Sequence, residues 1–263
     1  MQYDNPIVIT GPPRSGTTWM QFFLCSHPNI YIHGQEPKLS WKESTQWLDK
    51  MIQAGEWGEK SNKSKTVKDY AIPHYSGSNP QRCESIWRKM IYEFISGYGN
   101  QKPGQTKWGH KALWLCARKK EVETLKRVWN NAKWIVCIRD PFLSFESQKN
   151  TFVKKQNLEE WIDLWIKSYE FYKSNNESFL FQIDKLSQKS NEEKEEIICD
   201  LLRFLGELKT TETDKFISEW KVIHKASPDD ERDFKLGDKR KNEMFEKYSK
   251  LKTYMQELGY KNG

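Results

Sequence analysis

Pro6-Ile-Val-Ile-Thr-Gly-Pro-Pro-Arg-Ser-Gly-Thr-Thr-Trp19 decides how this chain of 263 residues is read. Ile7 to Ile9 is a short apolar run of the kind that forms a buried strand. A turn rich in glycine and proline follows, carrying Arg14, Ser15, Gly16, Thr17 and Thr18. From Trp19 to Leu24 there is neither glycine nor proline, so a helix opens there. Strand, small-residue loop and helix N-terminus together form an anion cradle. Backbone N–H groups and the positive end of the helix dipole converge on one point. Arg14 and two threonine hydroxyls reinforce them.

The spacing Gly11-x-x-x-x-Gly16 is half of a Walker phosphate loop, but Thr17-Thr18 stands where Lys-Ser/Thr belongs. The cation precedes the second glycine instead, as Arg14. Taken alone, such a turn also reads as an ordinary strand-to-helix connection. A P-loop kinase or other NTPase is the alternative reading. The missing lysine and the lack of a Walker-B carboxylate count against it.

A second segment narrows the choice. Trp134 to Ile138 is another apolar strand, ending on Arg139, and Pro141 suits the first turn of a following helix. Ser144 and Ser147 lie on that helix. Arg139 and Ser147 share one end of a strand–helix unit, where guanidinium and hydroxyl suit a single phosphate. An Arg139-Asp140 surface ion pair is the bland alternative.

The Arg14-Ser-Gly-Thr-Thr-Trp19 string resembles the 5′-phosphosulfate loop of sulfotransferases that use 3′-phosphoadenosine 5′-phosphosulfate (PAPS). The layout is similar to tyrosylprotein sulfotransferases and bacterial small-molecule sulfotransferases. The resemblance implies that Arg14, Ser15, Gly16, Thr17, Thr18 and Trp19 bind the donor. It implies that Arg139 and Ser147 take its 3′-phosphate. His27-Pro28 and Gly34-Gln35-Glu36 match family elements with one extra residue between them, which makes Glu36 the implied catalytic base. Lys107-Trp-Gly-His-Lys111 matches another element and makes Lys111, with Arg14, the implied stabiliser of the transferring group. Leu113 stands where cytosolic relatives carry a histidine base. His33 and His110 remain alternatives to Glu36, although His110 and Lys111 should face opposite ways on a strand. Arg232, Gly237 and Asp238 match part of the segment that closes over the 3′-phosphate, which implies donor binding by Arg232.

Strands alternating with helices predict an α/β fold, P-loop-like, with a central, mostly parallel sheet flanked by helices in one domain over residues 1–263. Helices are expected at 84–95, 119–130, 158–175, 192–205 and 245–258. Trp161, Leu164, Trp165 and Tyr169 form a core stripe. Residues 38–105 read as a long irregular insertion with Trp41, Trp47, Trp57 and Trp87, forming part of the acceptor pocket or a lid.

The net charge of +7 comes from basic residues spread along the chain and fits an anionic nucleotide donor. No nucleic-acid motif is visible. No run of about 18 apolar residues exists, so no membrane partner is expected. The chain reaches its first strand at once, and its five cysteines are scattered, so a cytoplasmic protein with reduced thiols and no metal is expected. The acceptor is expected to be a small hydroxylated or amine metabolite, such as a natural-product alkaloid. A non-catalytic PAPS-binding protein is a further alternative.

Overall fold

Ile7, Val8 and Ile9 alternate between the two faces of strand β1 (Ile7–Gly11), and each face meets its own core. In the computed structural model, residues 5–35, 41–63, 80–98, 104–151, 157–219 and 234–260 are described. After β1 come α1 (Thr17–Ser26), β2 (Ile30–Gln35), α2 (Trp41–Lys63), α3 (Pro80–Tyr98) and β3 (Lys107–Leu113). A single 3₁₀ turn at Leu115–Ala117 leads into α4 (Lys119–Val128), β4 (Lys133–Cys137), α5 (Pro141–Thr151) and α6 (Leu158–Ser174). β5 (Ser178–Phe181), α7 (Ile183–Leu186), α8 (Asn191–Phe204), α9 (Thr211–Glu219), α10 (Asp238–Lys247) and α11 (Ser249–Glu257) complete the order.

The strands lie in the order β2-β3-β1-β4-β5, and all four pairings are parallel. The expected α/β architecture is thus present. From β1 the chain runs outward to β2, returns through β3, and crosses to β4 on the other side. Connections that leave a central strand in opposite directions open a crevice at its carboxyl end. Gly11, the last residue of β1, lies at that point.

Ile7 and Ile9 share one core with Trp19, Met20, Phe23 and Leu24 of α1 and with Ile198, Leu201 and Leu202 of α8. Val8 faces the other core, built from Trp87, Trp108, Trp129, Trp134, Trp161 and Trp165. Aromatics bury large areas each, which offsets an apolar fraction of only 37%. All five cysteines are thiols.

Two expectations need correction, and one alternative falls away. Residues 41–63 are one helix, not irregular chain. Leu48, Met51 and Ile52 are spaced for a helical stripe and pack on the Trp-rich core. Two glycines, Gly55 and Gly58, and many polar residues mask that pattern. The expected helix 245–258 is broken at Tyr248, whose φ of −116° and ψ of 87° separate α10 from α11. Its hydroxyl donates to the Glu159 carbonyl at 3.1 Å, so a tertiary contact overrides local propensity. Asp140 does not act as an ion-pair partner of Arg139. It caps α5, accepting from the Phe142 and Leu143 N–H groups at 2.8 and 3.0 Å.

Candidate active site

The loop after β1 is shaped by conformations that few side chains tolerate. Gly11 has φ of 136°, and a Cβ there would run into the Cys137 carbonyl oxygen of β4. Gly16 has φ of 89°, and its Cβ would lie 2.7 Å from the Cβ of Ile183. Arg14 itself sits at φ of 65°, a left-handed conformation that a non-glycine residue adopts at a cost. Gly16 is the N-cap of α1 and supplies no side-chain cap. The N–H groups of Thr17, Thr18 and Trp19 in the first turn therefore lack intrahelical acceptors and point toward the crevice.

The β4–α5 turn meets this loop because β1 and β4 are parallel neighbours. Arg14 Nε donates to Ser147 Oγ at 3.0 Å, and Arg139 Nη1 reaches the Arg14 carbonyl at 3.5 Å. Burial, then the like charge of Arg139, lowers the Arg14 pKa. From the other flank, Lys111 is in register with Ile9 and its Nζ donates to Thr18 Oγ1 at 3.2 Å. Lys111 is 5% exposed, and burial lowers its pKa. Among the described residues, none of these three cations pairs with a carboxylate. Ser15 Oγ and Arg139 Nε are buried and have no hydrogen-bond partner among the described residues. Orphaned donors beside uncompensated cations call for an anion with several acceptor oxygens.

The Arg139 turn is held from behind by groups that the sequence reading took only as core. Trp165 Nε1 donates to the Arg139 carbonyl at 2.9 Å, and Trp161 Nε1 donates to the Pro141 carbonyl at 3.1 Å. A helical tryptophan stripe gives no sign of where its indole N–H groups point. On α5, Asn150 accepts from the Phe234 N–H at 3.0 Å and donates to its carbonyl at 3.3 Å. Glu146 accepts from the Leu236 N–H at 2.8 Å. Residues 234–236 are thereby docked along the helix that carries Ser147.

Glu36 and Arg232 lie outside the described residues. Trp19 is 7% exposed, and its ring stacks on Phe23 and Phe181 at 5.3 and 5.1 Å. Its indole is a core group, and its backbone N–H is what it offers the cradle. His110 is in register with Val8 and His33, on the face opposite Lys111. It stacks on His33 at 5.7 Å, and burial, with His33 and Lys111 beside it, pushes its pKa down to about 3. The pairing of β2 with β3 shifts between His33 and Gln35, which sets Gln35 against Lys111 and leaves Gly34 as the extra residue. Of the insertion's tryptophans, Trp87 is core and donates to Ser44, and Trp47 is 44% exposed.

The sequence model of the Sulfotransferase family matches residues 6–207, from β1 through α8. The chain belongs to that family. It is similar to human Protein-tyrosine sulfotransferase 1, 27% identical over 149 residues, which is 55% of this chain and 34% of that protein. A putative protein-tyrosine sulfotransferase of Caenorhabditis briggsae is 29% identical over 142 residues, 52% of this chain and 40% of that protein. The matched part of this sulfotransferase-family chain thus spans well under half the length of those curated relatives. Two solved structures resemble it in fold. The sulfotransferase domain of the Synechococcus PCC 7002 olefin synthase gives a TM-score of 0.50 at 14% identity, covering 86% of this chain and 82% of that one. A sulfotransferase from Alicyclobacillus acidocaldarius gives 0.51 at 11% identity, covering 96% of each. Among the described residues no helix is long and apolar enough to cross a membrane.

Proposed function

We propose that this chain takes a sulfuryl group from PAPS and passes it to a hydroxyl or amine of a small-molecule acceptor. One observation carries the reading: Arg14, Arg139, Ser147 and the Lys111–Thr18 pair converge on the open N-terminus of α1. The buried orphans Ser15 Oγ and Arg139 Nε fit the same donor, since each needs an acceptor oxygen.

In this reading the loop N–H groups, with Ser15, Gly16, Thr17, Thr18 and Trp19, hold the 5′ side of PAPS. Arg139, Ser147 and Arg232 hold its 3′-phosphate. The Ser147 hydroxyl accepts from Arg14 and keeps its own proton to donate outward. Bound PAPS supplies an activated sulfuryl group whose departing oxygen gains negative charge. Lys111 and Arg14 oppose that charge from fixed positions in a poorly solvated cleft, where such contacts count most. Glu36 takes the acceptor proton as the acceptor attacks, with His33 as the second choice. The α2–α3 pair follows β2 in the chain, and we assign it one wall of the acceptor pocket.

A tyrosine side chain is the second reading of the acceptor, favoured by the names of the protein-tyrosine sulfotransferase relatives. Incubation with PAPS and two acceptor sets, phenolic and amine metabolites against tyrosine peptides, separates the readings by mass spectrometry. A mass gain on the metabolites alone is expected. Sulfation confined to peptides would overturn the acceptor, and ATP serving in place of PAPS would overturn the donor.

A further inference from the structure

We infer that Asp184 and Tyr260 are positioning residues for the Arg139 side of the donor site, a role that rests on the donor reading above. Neither touches the cradle. They form a strut that ties the C-terminal end of the described chain to the backbone beside Arg139.

The strut can be followed atom by atom. The β5–β4 ladder ends with Ile138 N–H donating to the Phe181 carbonyl at 2.9 Å. Two residues later Asp140 N–H donates to Asp184 Oδ2 at 3.4 Å, a long bond. The other carboxylate oxygen of Asp184 accepts from Lys185 N–H at 3.1 Å and from the Tyr260 hydroxyl at 3.2 Å. Gln182 Nε2 donates to Tyr260 Oη at 3.1 Å and to the Leu258 carbonyl at 3.2 Å. Arg139 is thus bracketed: Ile138 is held by β5, Asp140 by Asp184, and its own carbonyl by Trp165. The residue before Asp184 packs on the loop glycine, since a Cβ on Gly16 would meet Ile183. The first turn of α7 therefore touches both halves of the cradle.

Charge explains why a tyrosine stands at the far end. Asp140 and Asp184 are close enough that their repulsion, added to burial, raises the Asp140 pKa. The Tyr260 O–H supplies Asp184 with a neutral donor. Burial, with Asp184 and Asp140 nearby, holds that phenol above its ordinary range, so it keeps its proton. Tyr260 lies beyond residue 207, where the family match ends, so the family pattern does not assign it.

The test is nucleotide discrimination in Tyr260→Phe, which removes one oxygen and keeps the ring. Adenosine 3′,5′-bisphosphate and adenosine 5′-monophosphate are titrated by calorimetry well below the melting temperature. Only the bisphosphate has the phosphate assigned to Arg139, so the strut acts on the ratio of the two affinities. That ratio should fall about 2- to 12-fold, the range for loss of one ordinary hydrogen bond, because the strut acts on the phosphate at one remove. Asp184→Ala should lower it at least as far, and the double variant should add little, because both break one strut. Asp184→Asn, which keeps an acceptor oxygen, should restore part of the ratio. An unchanged ratio, or equal weakening of both nucleotides, overturns the positioning role even if the variant melts earlier. A wild-type protein that does not prefer the bisphosphate overturns the donor reading and the strut's role with it.

Discussion

Acidification should destabilise the folded chain through one buried imidazole. His110 is 4% exposed on β3, and its pKa is pushed down from 6.5 to about 3. Burial is the main cause, followed by the charges of His33 and Lys111. In the unfolded chain the group titrates near its ordinary value. Between those two pKa values the unfolded state binds a proton that the folded state refuses, so stability rises with pH and falls on acidification. At about pH 4.5 the unfolded imidazole is two units below its pKa, which at ~1.36 kcal/mol per unit removes about 2.7 kcal/mol. That is a large part of a total of roughly 5–15 kcal/mol. Carboxylates also titrate in this range, so the assay compares wild type with His110→Gln. Urea melts at about pH 7.5 and 4.5 give four stabilities, and the wild type should lose about 2–3 kcal/mol more than the variant. Equal losses in the two proteins would refute the reasoning and show that His110 takes up its proton in the folded state.

Arg139→Ala should weaken adenosine 3′,5′-bisphosphate binding by ~1.5–3 kcal/mol in calorimetry, with or without magnesium; an unchanged affinity would leave Arg139 a purely structural role. Lys111→Ala should lower turnover at saturating donor more than it lowers donor affinity, because its contact strengthens as charge builds on the departing oxygen. Loss of affinity with normal turnover would make Lys111 a binding residue instead. Glu36→Gln should cut turnover by ~10²–10⁴-fold and leave bisphosphate binding intact, and a wild-type rate would move the base to a histidine. Gly16→Ala should cost ~1–3 kcal/mol of stability, because the left-handed backbone and the wall of Ile183 both oppose a β-carbon. An unchanged melt would show that the loop relaxes around it.

The two strand–turn–helix units, β1–α1 and β4–α5, were legible because their signals are local. A glycine that needs positive φ, a proline at the first helical position and an apolar run before each are read from adjacent residues. What joins the turns is not local. Arg14 and Ser147 meet because β4 pairs with β1, and hydrophobic runs do not state which strands are neighbours. The same limit hid the tryptophans of α6, whose periodicity marks a buried face and is silent about the indole N–H groups that grip the Arg139 turn. The helix over 41–63 was obscured by its two glycines and many polar residues, and the break at Tyr248 by a hydroxyl bonded to a carbonyl on α6. Trp19 closes the loop string in the sequence, yet it lies within α1 and its ring belongs to the core of that helix. Opposite facing of His110 and Lys111 did follow from strand alternation alone.

The two guanidinium groups set side by side, Arg14 and Arg139, repel each other. On the proposed reading, a dianion lodged between them would remove that repulsion only in the folded chain, which would couple the fold itself to ligand supply. At a hundredfold excess over its dissociation constant, a ligand that binds only the folded state adds about 2.7 kcal/mol to stability. Unfolded chains are what cellular proteases remove, and changes of this size alter abundance several-fold. On the donor reading proposed above, the steady-state level of this protein should track the cell's pool of adenosine bisphosphates, rising when the nucleotide is plentiful and falling by degradation when it is scarce.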